Sequence, residues 1–247
     1  MSAPLPARAQ AGILLARYWA CQRGDALTLA LLVLQAPFIG YLASLVWASV
    51  ERDTPTLYFV LCLSAVWFGC ISACREIVRE RAILERERFF GLSLPAYVAS
   101  KFGVLAGLGL VQVLGLQLTV EFHLALRGPL LVETLALWGA ALCGTGLGLL
   151  VSAISKAQER AVGAVPLLIL PQILFSSFAV PEQTWTAAVR LGEKLMPASW
   201  AWHAFDNAAA TEPSWFAVAG DLAVLYGYAA ALLGLTTLAL WPRRDLI

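Results

Sequence analysis

The segment REIVRERAILERERFFGLSLPAYVASK, Arg75 to Lys101, is the densest block of charge in an otherwise apolar chain. Arg75, Glu76, Arg79, Glu80, Arg81, Glu85, Arg86, Glu87 and Arg88 supply nine of its 33 charged residues. At 100° per residue, Ile77 and Leu84 share one direction, Val78, Ala82 and Phe89 a second, and Ile83 and Phe90 a third. A straight helix would therefore present no single apolar stripe. This pattern predicts a helix that continues from the preceding apolar run to about Glu80, a bend, and a short second helix ending near Phe90. Gly91 suits the stop of that helix and Pro95 the start of the next element. Glu76 with Arg79, Arg81 with Glu85, and Glu85 with Arg88 stand three or four residues apart, pairs that contribute only about 0.2–0.5 kcal/mol each on a helix surface.

The 247 residues as a whole are 60% hydrophobic and 13% charged, where a soluble domain carries roughly 25% charge. Six uncharged runs approach the ~20 residues that a membrane-crossing helix needs: Ala26–Val50, Leu57–Cys74, Phe102–Val120, Thr134–Ser155, Ala161–Pro181 and Leu222–Pro242. The first has no small-residue cleavage site after it and is read as a span, not a signal peptide. With the N-terminus inside, the inner segments hold 13 Lys and Arg, including Arg8, Arg17, Arg23, Lys156, Arg160, Arg243 and Arg244. The outer loops hold four, Arg52, Arg127, Arg190 and Lys194. The positive-inside rule then predicts an all-α membrane protein of six spans with both termini and the charge block in the cytosol. A formal net charge of +1 argues against a nucleic-acid partner.

The N-terminal 1–25 mixes Ile13, Leu14, Tyr18 and Trp19 with Arg8, Arg17 and Arg23, which suits a helix in the inner interface. Arg52, Asp53 and Pro55 mark a short outer turn. Pro166 and Pro171 favour kinks in the fifth span, and 182–213 reads as one or two short outer helices anchored by Trp200 and Trp202. Gly144 and Gly148 sit four apart in the fourth span, a spacing for close helix packing. Glu121, at the outer end of the third span, reads as an interfacial charge more readily than as part of a transport path. The five cysteines lie in spans or on the inner side. Cys70 and Cys74 share a helix face, but packing is a better account of them than metal binding. The two histidines, His123 and His203, fall in different segments, and neither a nucleophile–base spacing nor a Walker motif is present. These features argue against an enzyme. On composition alone the block 75–97 is equally a solvated, self-neutralising loop.

A resemblance gives the block a role. The order Arg-Glu-Arg, two aromatics, Gly-Leu-Ser at 86–93, then Ala96-Tyr97 and Ser100-Lys101, resembles the coupling-helix region of the G subfamily of ATP-binding-cassette transporters and of the related bacterial type-2 permeases. Glu87 stands four residues before Gly91, as in that family, and Glu80 matches an upstream acidic position. LFSSFAVP at 174–181 and LMPASWAWHAF at 195–205 are similar to the end of the family's fifth span and its outer re-entrant region. Ser177 stands where the family often has Gly, and the outer cysteines of some members are absent.

The resemblance implies a single permease domain over 1–247 in the cytoplasmic (inner) membrane, exporting a hydrophobic or amphipathic substrate. It implies that a coupling surface formed by Glu80, Arg81, Glu85, Arg86, Glu87, Arg88 and Gly91 docks on a separate nucleotide-binding ATPase subunit. It also implies a second permease chain, and a cavity lined by Trp67, Phe68, Leu167, Leu168 and Leu174. No cofactor is expected on this chain; ATP and Mg belong to the ATPase partner. The rival expectation is a non-transporting scaffold or immunity-type subunit with the same fold.

Overall fold

The structure, a computed structural model, describes residues 6–50, 55–124, 126, 128–179 and 182–241, with the backbone alone at Glu182. Among these residues there is helix, turn and coil but no strand. The helices are α1 (Ala7–Gly24), α2 (Ala26–Trp47), α3 (Pro55–Ala73), α4 (Arg81–Phe89), α5 (Leu94–His123), α6 (Leu130–Ile154), α7 (Gln158–Leu174), α8 (Ala187–Lys194), α9 (Pro197–Ala209) and α10 (Trp215–Leu240), with short 3₁₀ turns at Val78–Glu80 and Glu182–Thr184. Arg52, Asp53, Arg127, Pro181, Arg243 and Arg244, which carry expectations from the sequence, lie outside the described residues.

Among the described residues, five helical segments are long and apolar enough to cross a membrane: Ala26–Trp47, Pro55–Arg79, Leu94–His123, Leu130–Ile154 and Trp215–Leu240. Of the run expected as a further span, 161–181, residues 161–174 lie in the 17-residue α7, with Pro166 and Pro171 inside it. At about 1.5 Å per residue it is roughly 26 Å long, at the short end of the range for a spanning helix.

α3 and α6 form the centre. Their spans are 72% and 78% buried, against 22% for α2 and α10, so the outer pair carries the apolar surface open to surroundings. Glycines set the central distance. A Cβ on Gly144 would overlap the Val66 carbonyl, and one on Gly148 would press on the Cys70 carbonyl and Ala73. This is the small-residue contact that lets membrane helices approach closely. Cys62, Cys70, Cys74 and Cys143 are buried free thiols, and Cys143 donates to the Leu225 carbonyl at 3.2 Å.

The expected bend after the second span is present, and it has a cause outside the local sequence. The α-helix stops at Ala73, and the backbone N–H groups of Ile77 and Val78 both donate to Ser152 Oγ of α6, at 2.9 and 3.0 Å. One buried hydroxyl thus satisfies two donors freed by the break. Beyond α4, Gly91 adopts φ 91°. Its N–H bonds the Arg88 carbonyl and that of Leu92 the Glu87 carbonyl, both at 3.1 Å. This is a Schellman turn, which needs a residue at ease with positive φ.

Two expectations are corrected. The apolar helix does not begin at Phe102: α5 starts at Leu94, with Pro95 in its first turn as expected, and Tyr97 and Lys101 are buried within it. The pairing of Glu85 with Arg88 gives way to hydrogen bonds from Arg88 to the Leu240 and Trp241 carbonyls at 3.0 and 3.4 Å. Glu76 and Arg79 do pair, at 3.0 Å.

Candidate coupling surface

Four elements meet where the charge block folds: α1, the break after α3, α4 and the start of α5. The core of the junction is Lys101, which is only 1% exposed. Its Nζ lies 2.6 Å from Glu80 Oε2 and 3.9 Å from Glu76 Oε2. It also sits 3.9 Å above the Tyr18 ring, a favourable place for a cation. Tyr18 donates its hydroxyl to Glu76 Oε2 at 2.5 Å and accepts from Gln22 at 2.6 Å. Two carboxylates face Lys101 and Arg79, so the buried charge balances. Burial first, then the Glu76 carboxylate, pushes the Tyr18 hydroxyl well above the usual range for tyrosine, and it stays a donor.

A second set ties α4 to the rest. Arg17 of α1 grips Glu87 through both guanidinium nitrogens at 2.5 and 3.2 Å. That hydrogen bond is the largest influence holding the Arg17 proton more tightly than usual. Arg81 donates to the Ser152 and Ala153 carbonyls at 3.4 and 2.7 Å. With Arg88 on Leu240 and Trp241, two arginines of one short helix cover the last carbonyls of α6 and α10. These are the ends whose acceptors lack helical partners and whose dipoles favour a cation. Gln10 of α1 accepts from the Ser93 N–H at 2.9 Å and fixes the turn into α5.

The residues expected to form one coupling surface therefore divide. Glu80, Arg81, Glu87 and Arg88 are turned inward to fasten α4 onto α5, α6, α1 and α10. Glu85, Arg86 and Gly91 are exposed. Beside them stand the two aromatics of the motif, Phe89 and Phe90, which the expected coupling surface does not include; they are 79% and 80% exposed, with their rings edge to face at 5.7 Å. Paired exposed aromatics next to charged residues are the composition of a protein-binding patch. A cavity of about 320 Å³ adjoins them, lined by Ile13, Leu14, Arg17, Glu87, Phe90 and Leu92 among others.

Of the residues expected to line a cavity, Phe68 is fully buried and Leu167 and Leu174 are 70% and 63% exposed. Trp67 and Leu168 pack partly buried against the core. Glu121 accepts from the Leu126 N–H at 3.1 Å, which fits its reading as a local end-of-helix charge. Sequence reading passed over Glu133, fully buried in the first turn of α6 and bonded by Gln117 at 3.1 Å. Its position one residue outside the apolar run hid it.

At the far end of the molecule, Trp202 donates to the Pro55 carbonyl at 3.1 Å and Trp200 to the Lys194 carbonyl at 2.8 Å. The first bond holds α9 over the start of α3, and the second ties it to the end of α8. There a cavity of about 470 Å³ is lined by Phe59, Phe178, Trp202, Arg190, Lys194 and His203 among others.

Comparison with known proteins agrees with this architecture. An ABC transporter ATP-binding/permease protein of Mycobacterium tuberculosis is 29% identical over 149 residues, which cover 54% of this chain and 17% of that protein. This chain thus matches only a small part of that relative's length. Residues 9–208, from α1 into α9, match the family described as ABC-2 type transporter. A chain with several membrane-length apolar helices that matches this family over most of its length is a multi-pass permease: it belongs to the ABC-2 type transporters.

Proposed function

We propose that this chain is the membrane subunit of an exporter, powered by ATP hydrolysis on a separate nucleotide-binding subunit, and that it works as a pair of permease chains in the cytoplasmic membrane. In this reading α7 is the fifth of six spans, both termini and α4 face the cytosol, α1 lies in the inner interface, and α8 and α9 sit at the outer face. The Lys and Arg distribution supports that orientation. The relative's name joins an ATP-binding activity to a permease; here ATP and Mg would sit on the partner subunit.

One observation carries the reading: α4 is fastened to the ends of α5, α6 and α10 by Glu80, Arg81 and Arg88, while Phe89, Phe90, Glu85 and Arg86 point away. A force applied to the outward patch is delivered to three spans at once. Closure of the ATPase pair would push on this patch, rock the helices and exchange an inward-open for an outward-open state, with coupling set by the difference in docking between the two states. The apolar flank of α7, with Leu167 and Leu174 near Trp67, Phe68 and Leu168, suits a hydrophobic or amphipathic cargo.

The test is co-purification with the ATPase subunit and substrate-stimulated ATPase activity in proteoliposomes. Phe89→Ala with Phe90→Ala should lose both while the purified chain keeps its melting temperature. Retention of docking and stimulation by that double variant would overturn the coupling assignment. Docking without stimulation by any substrate would favour the scaffold.

A further inference from the structure

α1, α2 and α5 enclose a cavity of about 520 Å³, within the range of roughly 300–1,000 Å³ seen for small-molecule sites. Gly103 and Gly107 of α5 form its floor, Leu15 and Trp19 of α1 one wall, and Leu29 and Val33 of α2 the other. No polar or charged side chain lines it, apart from the indole of Trp19. The floor glycines differ from those in the α3–α6 contact. A Cβ on Gly107 would meet nothing within 4 Å, and one on Gly103 only the tip of Leu15. Small residues in membrane helices admit a neighbour, and at Gly107 no described residue takes that place.

The depth and the mouth identify the occupant. From Gly103 to Val111 the floor runs eight residues, about 12 Å along α5, starting just beyond the Lys101 charge cluster and pointing into the apolar part of the helix. In the α1 wall, the Arg23 guanidinium lies 4.6 Å over the ring of Trp19. No carboxylate among the described residues pairs with Arg23. Trp and Arg together mark the headgroup level of a membrane helix, and an unpaired cation there attracts anionic lipid. We infer that this groove holds one acyl chain of an anionic glycerophospholipid, with its phosphate at Arg23, as a bound lipid distinct from the annular layer.

Native mass spectrometry of the full chain, after exchange into nanodiscs containing phosphatidylglycerol or phosphatidylcholine of matched acyl chains, tests this. The wild type should retain one phosphatidylglycerol, with a preference of about fivefold, the size expected for one arginine near an anionic headgroup. Gly107→Leu should lose the retained lipid, because its Cβ meets no atom within 4 Å and the rest of the side chain takes up space on the floor. Gly234→Leu, an equally open position on α10, should keep it. Arg23→Gln should keep a lipid but lose the preference. Equal retention of both lipids by wild type and Gly107→Leu would reduce the groove to annular lipid and overturn the site; an unchanged preference in Arg23→Gln would overturn the headgroup assignment.

Discussion

Lys101 is a cation almost fully removed from solvent, and such a group persists only when paired and hydrogen-bonded. Glu80, Glu76 and the Tyr18 ring do this together, so the three residues stand or fall with it. Lys101→Met leaves two buried carboxylates facing Arg79 alone and should cost about 3–5 kcal/mol, read as a lower melting temperature of the purified chain. Adding Glu80→Gln should recover part of that loss, whereas Glu80→Gln in a Lys101 background should not stabilise. The sequence set Lys101 just before the third span, on the inner side, because a lone Lys at the edge of an apolar run looks like a membrane boundary. Its partners lie 21 and 25 positions upstream in Glu80 and Glu76, across a break that no local pattern locates to the residue. At the opposite end, burial raises the Asp206 carboxyl above its ordinary pKa of 3.8, with the nearby His203 charge opposing. A raised carboxyl favours the folded state at low pH, and that advantage is lost as pH rises through the folded value. Asp206→Asn should therefore raise the melting temperature at neutral pH, and the difference should vanish as pH falls below the usual carboxylate range.

The helix break shows how much of an element is legible and where legibility ends. The lack of a single apolar stripe across Ile77, Leu84, Phe89 and Phe90 announces a bend, and Gly91 announces the stop; both are local facts of side-chain periodicity and of φ. The device that stabilises the bend is Ser152, 75 residues away from Ile77, in an apolar run where one serine looks incidental. The same holds for Arg81 and Arg88. Their spacing suggested partners on their own helix, but their acceptors are main-chain carbonyls, which every residue possesses and no sequence pattern reveals. Ser152→Ala should leave the Ile77 and Val78 amides without their acceptor in a buried place, at a cost of about 1–3 kcal/mol. Faster hydrogen exchange confined to 76–80 would locate the effect; an unchanged exchange profile there would mean that another acceptor replaces the hydroxyl. Ser152→Thr, which keeps the oxygen, should behave nearly as wild type.

Across the whole molecule, burial is uneven in a way that bears on assembly. α3 and α6 are enclosed, α2 and α10 are open, and α7 is short, doubly proline-bearing and turned outward through Leu167, Leu170 and Leu174, at 70%, 52% and 63% exposure. Those three lie three and four residues apart, one stripe of the helix. An isologous contact between two copies would cover the stripe symmetrically. Hydropathy made α7 look like the other spans because it counts apolar residues and is blind to what covers them. If two chains meet along this stripe, single cysteines at Leu167 or Leu174, in a background where the exposed Cys21 is replaced by serine, should give disulfide-linked dimers on mild oxidation in membranes. A cysteine at Leu238 on α10, 63% exposed, should not. Equal cross-linking at both faces would indicate random collision, and dimers through α10 alone would move the interface to the other side of the molecule.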